Sequence, residues 1–129
     1  PTAVRGAKVY FEVNAGPYAA GASSFMGETL SRLGLRNVVT PELGPFPKLN
    51  PEFVVRSDPD IIMLSPEVVG VEQRPGWKQM RAVRAGRVCV FNAEQTNVLF
   101  RPGPRMAEAA RIMAQCLQGP TMTTLERQP

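Results

Sequence analysis

Three short apolar runs, AKVYFEV (7–13), DIIML (60–64) and GRVCVFN (86–92), constrain this chain more than any other feature. Each is rich in β-branched or aromatic residues and is closed off within a few positions, which suits a strand rather than a helix. DIIML is almost continuously apolar, as expected of a strand covered on both faces. The segments between them carry helical spacing with explicit start and stop signals. From Ser24, the residues Met26, Leu30 and Leu33 recur at helical intervals, and Gly34 supplies a left-handed stop. Asn50, Pro51 and Glu52 open a second helix by three separate rules: Asn caps, Pro fits the first helical position, and a carboxylate near the start complements the helix dipole. Asp58-Pro59 ends that helix. The best helix runs over roughly 104–117, with Met106, Ala109, Ala110, Met113 and Leu117 as its apolar stripe and Gly119-Pro120 as its close. RNVVT (36–40) is short and strand-like, and ERPGWKQMRAV holds one or two helical turns. Strands alternating with helices predict a three-layer α/β/α, Rossmann-like domain with four or five strands in a mainly parallel sheet. Predicted strands include 8–13, 60–64 and 87–91.

The length of 129 residues suits one domain with a real core, and the 43% apolar content is that of a globular protein. Residues 7–118 read as that domain, 1–6 as a linker or artificial end, and 119–129 as a tail without pattern. No apolar run approaches the roughly 20 residues of a membrane-spanning helix, and no basic-then-apolar leader opens the sequence. The net charge of +4 comes from twelve Arg and three Lys that are scattered rather than clustered among aromatics, which argues against a nucleic-acid partner.

The chain has no histidine, and this removes His-based acid–base relays, Ser-His and Cys-His nucleophile pairs and His metal sites. Cys89 lies in an apolar strand and Cys116 on the apolar side of a helix, without metal-ligand spacing. They read as buried inert thiols, with a disulfide left open. GASSFMG (21–27) lacks the Walker spacing and its Lys, no G-x-G-x-x-G follows a strand, and no G-x-S-x-G elbow exists. The carboxylates are spread out. Nothing nominates catalytic residues, a resident cofactor or a metal site, so the chain reads as a non-enzyme. In a parallel sheet the segments after each strand gather at the carboxyl edge, where α/β domains bind ligands. Here those segments carry Tyr18, Phe46 and the NVLF run ending in Phe100, rings suited to a large, flat, partly apolar ligand.

Four stretches in order, VYFEVNAGPYAAGASSFMGETLSRLGLRNVV, FPKLNPEFVVRSDPDIIML, RPGWKQMRAVRAGRVCVFN and RPGPRMAEAARIMAQCL, resemble the carboxy-terminal lobe of a bacterial periplasmic solute-binding protein. The family is the helical-backbone class that serves ABC importers of cobalamin, ferric siderophores and haem, and the cobalamin-binding branch fits best. The resemblance covers about residues 7–118 and implies two α/β lobes joined by a long helix, only one lobe being present here. It implies a cleft that captures cobalamin or an iron chelate, and a location in the periplasm or on a lipid anchor facing outward. The implied partners are the ABC permease and the missing amino-terminal lobe.

By position in LNPEFVVRSDPD, Glu52 matches the glutamate that docks on permease arginines, a role that suits an exposed carboxylate with no intramolecular Arg or Lys holding it. Phe46 falls where relatives place a cleft-facing tryptophan, and Tyr18 where they place an aromatic after the first strand. The next aromatic falls on Val98, Leu99 or Phe100, with Arg101 following. In haem-binding relatives a tyrosine can ligate iron, which leaves Tyr18 between stacking and ligation. In the cobalamin branch a cysteine near the RLGLRN segment pairs with one in the last helix. Cys116 fits the second, but Leu33 occupies the first, so that bridge is absent. Two other readings compete: an α/β lobe of an enzyme acting on a sugar or nucleotide, and an interaction module of an intracellular complex.

Overall fold

The protein is described by a computed structural model over residues 5–101 and 106–117. Strand β1 (Lys8–Asn14) sits inside the sheet and pairs in parallel with β4 (Ile61–Leu64), which pairs in parallel with β5 (Val88–Val90). On its other side β1 has two short partners. β3 (Arg36–Asn37) runs parallel to its amino half, and β2 (Tyr18–Ala19) runs antiparallel to its carboxyl half. The result is a five-stranded, mainly parallel sheet.

Alternation along each strand divides the core in two. Val9, Phe11, Ile61, Met63, Cys89 and Phe91 join one apolar cluster. It is covered by α1 (Phe25–Arg32), α4 (Ala93–Leu99) and α5 (Met106–Cys116). Tyr10, Ile62, Leu64 and Val88 join the other, under α2 (Pro51–Ser57), α3 (Arg81–Arg84) and the 3₁₀ turns Val71–Gln73 and Trp77–Gln79. This is the expected three-layer arrangement, and the expected strands lie within a residue or two of β1, β4 and β5.

The helix signals act as their chemistry dictates. The Ser24 hydroxyl accepts from the Gly27 N–H at 3.0 Å to open α1, and Gly34 follows the helix at φ +81°. The Asn50 side chain accepts from the Glu52 N–H at 2.9 Å with Pro51 in the first turn, and α2 stops where Asp58 turns left-handed at φ 47°. The Arg81 N–H and Nε both donate to the Asp58 carboxylate, at 3.0 and 2.8 Å. The segment 36–40 is shorter as a strand than expected, because only Arg36 and Asn37 reach β1 before a turn takes over.

Two expectations need correction. Cys89 and Cys116 are not free thiols but a disulfide, tying β5 to α5 across the same core cluster. Residues 93–99 form a helix rather than a loop, because Asn92 and Gln95 make a reciprocal capping box. The expected starts at 102–105 and the tail beyond 117 lie outside the described residues.

Candidate functional site

The segments that follow β1, β3, β4 and β5 meet at the carboxyl edge of the sheet. After β1 the chain turns back as β2, and residues 45–49 lie antiparallel along 17–21. Backbone bonds fix the two segments together: Ala19 N–H to Pro47 O at 3.0 Å, Gly21 N–H to Pro45 O at 2.7 Å and Leu49 N–H to Pro17 O at 2.8 Å. The approach requires glycine at position 21, where a Cβ would collide with the Gly44 carbonyl oxygen. Tyr18 and Phe46 are thus carried by adjoining strips of one braced surface, and the two residues are 39% and 48% exposed.

The remaining predicted residues sit elsewhere. Phe100 (39% exposed) and Arg101 lie at the far end of α4, where Arg101 Nε donates to Asn97 Oδ1 at 3.0 Å. No hydrogen bond, ion pair or ring contact joins them to Tyr18 or Phe46 among the described residues. Leu99, expected at the ligand surface, is fully buried, and Val98 is buried beside it. The unforeseen helix is the reason: its inward face places 98 and 99 in the core and leaves only its last turn outside. Glu52 is 81% exposed at the start of α2, which suits a docking carboxylate and a helix-starter alike, and against expectation an intramolecular cation, Arg56 one turn on, comes within 3.9 Å of it. That distance is beyond a hydrogen bond, so Arg56 is a loose neighbour that leaves the carboxylate available.

Between these flanks lies a polar centre that no local motif of the sequence announces. Glu12, at the carboxyl end of β1, is fully buried. Arg74 reaches it from the β4–α3 connection with two parallel bonds of 2.8 Å, and the Tyr10 hydroxyl donates to it at 2.7 Å. The Arg74 guanidinium lies 4.5 Å over the Trp77 ring, and Tyr10 meets Trp77 edge-on at 5.9 Å. A buried carboxylate is tolerated only when paired and hydrogen-bonded, and the forked guanidinium does both. Burial, aided by the Glu12 charge, pushes the Tyr10 hydroxyl well above the ordinary tyrosine range. The hydrogen bonds to Glu12 raise Arg74 further above its already high value, so the cation never titrates. The network pins the 65–80 connection across the sheet edge. Its signal was present: VYFEV puts a carboxylate on the inward face next but one to Tyr10, and a charge there demands a cation.

The pinned connection walls a pocket of about 470 Å³ with the ends of β4 and β5. Leu64, Val68, Val71 and Val90 make it mostly apolar, Val69 is 80% exposed at it, and Glu72 stands in its wall. A pocket of similar size, about 460 Å³, opens at the opposite, amino edge between Arg5, Asp60, Arg81 and Arg87. Ligands of open α/β sheets sit at the carboxyl edge, which favours the first.

This fold and this edge define an α/β ligand-binding lobe. Residues 5–94 match the family profile described as periplasmic binding protein, and the chain belongs to that family. The family is extracytoplasmic, where a disulfide such as Cys89–Cys116 persists. The chain is 29% identical over 113 residues to an uncharacterized ABC transporter substrate-binding lipoprotein, YvrC, of Bacillus subtilis (strain 168). That match covers 84% of this chain and 35% of YvrC. Among solved structures it resembles the periplasmic haem-binding protein BhuT in complex with two haems (TM-score 0.71, 24% identity, covering 88% of this chain and 44% of that one). It also resembles the periplasmic vitamin B12-binding protein BtuF of Vibrio cholerae (TM-score 0.69, 20% identity, 88% and 45%). At these identities the two structures establish the fold. The chain spans less than half the length of each of these relatives.

Proposed function

We propose that this chain is the carboxy-terminal lobe of the substrate-binding component of an ABC importer, and that its carboxyl edge holds a bulky, partly apolar metal chelate. Cobalamin, haem and ferric siderophores are the ligand class. The observation that carries the reading is the pair Tyr18 and Phe46, two half-exposed rings on strips that six backbone groups lock together. Exposed aromatics on a rigid support favour a flat apolar partner, since little side-chain or loop entropy is lost when it binds. The second lobe closes the cleft from the other side. Relatives named for haem and for vitamin B12 share this fold and support the ligand class.

Phe100 and Arg101 belong to the rim of a wide cleft rather than to the aromatic pair. Tyr18 contacts ligand by stacking or, with haem, through its phenolic oxygen. Glu52, on a rigid helix start and outside the aromatic surface, is the permease-docking carboxylate. The test is a visible-absorbance titration of the intact protein with cyanocobalamin, haemin and a ferric trihydroxamate. One of them saturates the wild type, and Phe46→Ala weakens it by about 1–3 kcal/mol through lost stacking and burial. Unchanged affinity in Phe46→Ala would remove that ring from the site, and no saturation by any chelate would remove the function.

A further inference from the structure

Glu72 lies in the 3₁₀ turn Val71–Gln73, in the wall of the carboxyl-edge pocket. Its Oε1 is buried and has no hydrogen-bond partner among the described residues, and no ion pair reaches the side chain there. The neighbouring cation, Arg74, is committed elsewhere, both of its terminal nitrogens being bonded to Glu12 at 2.8 Å. The wall around Glu72 is mainly apolar, with Leu64, Val68, Val71 and Val90, and Asn92 is its other polar side chain. Native proteins rarely leave a buried acceptor unpaired. Glu72 thus lines the pocket with no cation paired to it among the described residues.

We infer that Glu72 sets the charge class of the ligand: the part that enters this pocket is neutral or cationic and offers N–H donors, and chelates that present a carboxylate there are rejected. This rests on the function proposed above and goes beyond it by choosing within the ligand class. The reach is adequate. Strands stand about 4.8 Å apart, so the β2 edge with Tyr18 and the β4–β5 edge with Glu72 lie some 10–15 Å from each other. A metal macrocycle stacked on Tyr18 and Phe46 spans that distance with its periphery. A peripheral carboxamide donates to Glu72, whereas a propionate or other carboxylate brings like charges together in a low-dielectric wall.

The test uses matched ligands on the intact protein. Cyanocobalamin and its peripheral monocarboxylic acid derivatives differ by one amide-to-acid change at constant shape, and haemin supplies a carboxylate-bearing macrocycle. Wild type should bind cyanocobalamin more tightly than haemin, and at least one monocarboxylate should bind roughly ten-fold or more weakly than cyanocobalamin. Glu72→Gln should largely erase that discrimination, while Glu72→Asp, with the charge kept, should retain much of it. Circular dichroism and the melting temperature of each variant establish that it is folded. Equal wild-type affinity for amide and acid, tighter binding of haemin, or discrimination that survives Glu72→Gln would each overturn the inference and leave the proposed function standing. Failure of the wild type to bind any of these macrocycles would overturn the inference, and failure to bind the ferric trihydroxamate as well would overturn both. If Glu72→Gln shifted only the melting temperature of the ligand-free protein, the carboxylate would belong to a contact within the protein, and the inference would fall.

Discussion

The Cys89–Cys116 disulfide closes a long loop, its cysteines 27 positions apart, and joins the edge strand β5 to α5. α5 covers one half of the core: Ala109, Met113 and Cys116 all pack into the cluster beneath the sheet. Beyond the bridge, α5 packs on that apolar cluster and against α1 and α4. A loop of this length removes about 3.5 kcal/mol of conformational freedom from the unfolded chain in the chain-entropy account. For a chain of this size that corresponds to a fall in melting temperature on the order of 10–15 °C. Reduction isolates the link, because it changes no side-chain volume, whereas Cys→Ala also opens a small gap. Both cysteines are almost fully buried, so the protein should be reduced in denaturant and refolded with reductant present. Paired urea titrations, oxidised and reduced, should then differ by about 2–4 kcal/mol at nearly equal m-value. Thiol titration of the unfolded, unreduced protein should find no free cysteine. A difference below about 1 kcal/mol, or two reactive thiols, would refute the reasoning that the bridge holds α5 in place.

Removing the carboxylate in Glu12→Ala strands the Arg74 guanidinium against Trp77, and urea denaturation should show a loss of about 3 kcal/mol, whereas replacing both partners by apolar residues should cost less. Asp58 is held below the ordinary aspartate range chiefly by the Arg81 backbone N–H. Its folded pKa is depressed, so its contribution to stability is present above the unfolded value near 4 and is lost as pH falls through the folded one; Asp58→Asn should flatten that acid limb of the stability–pH curve. Glu52→Gln should leave the fold within about 0.5 kcal/mol and ligand affinity unchanged. It should slow docking on the permease and weaken its dependence on salt, as loss of a rim charge does; wild-type uptake by the variant would make Glu52 a helix-starter and nothing more.

What was legible in the sequence, and what was not, follows from how local the deciding interaction is. The strands, the α1 and α2 caps and the three-layer order depend on residues within a few positions of one another, and AKVYFEV, DIIML and Asn50-Pro51-Glu52 carried them. The α4 helix was equally local, since Asn92 and Gln95 form a capping box three residues apart. The aromatic at 100 points its segment toward a ligand, whereas the capping box turns that segment into a helix with Leu99 in the core. The disulfide and the Glu12–Arg74 pair are of another kind. They join positions 27 and 62 residues apart, and only the sheet register brings them together. Even so, each left one half of its signature in a single strand: a cysteine in VCV, a carboxylate in VYFEV. A polar or reactive group on the inward face of a strand specifies the chemistry of its missing partner before it specifies the partner's position. Glu12 asks for a guanidinium and finds one in Arg74. Glu72, one connection away in the same edge, makes the same demand from the wall of the pocket, and nothing among the described residues answers it. As Arg74 answers Glu12, the ligand is to answer Glu72 at the open site.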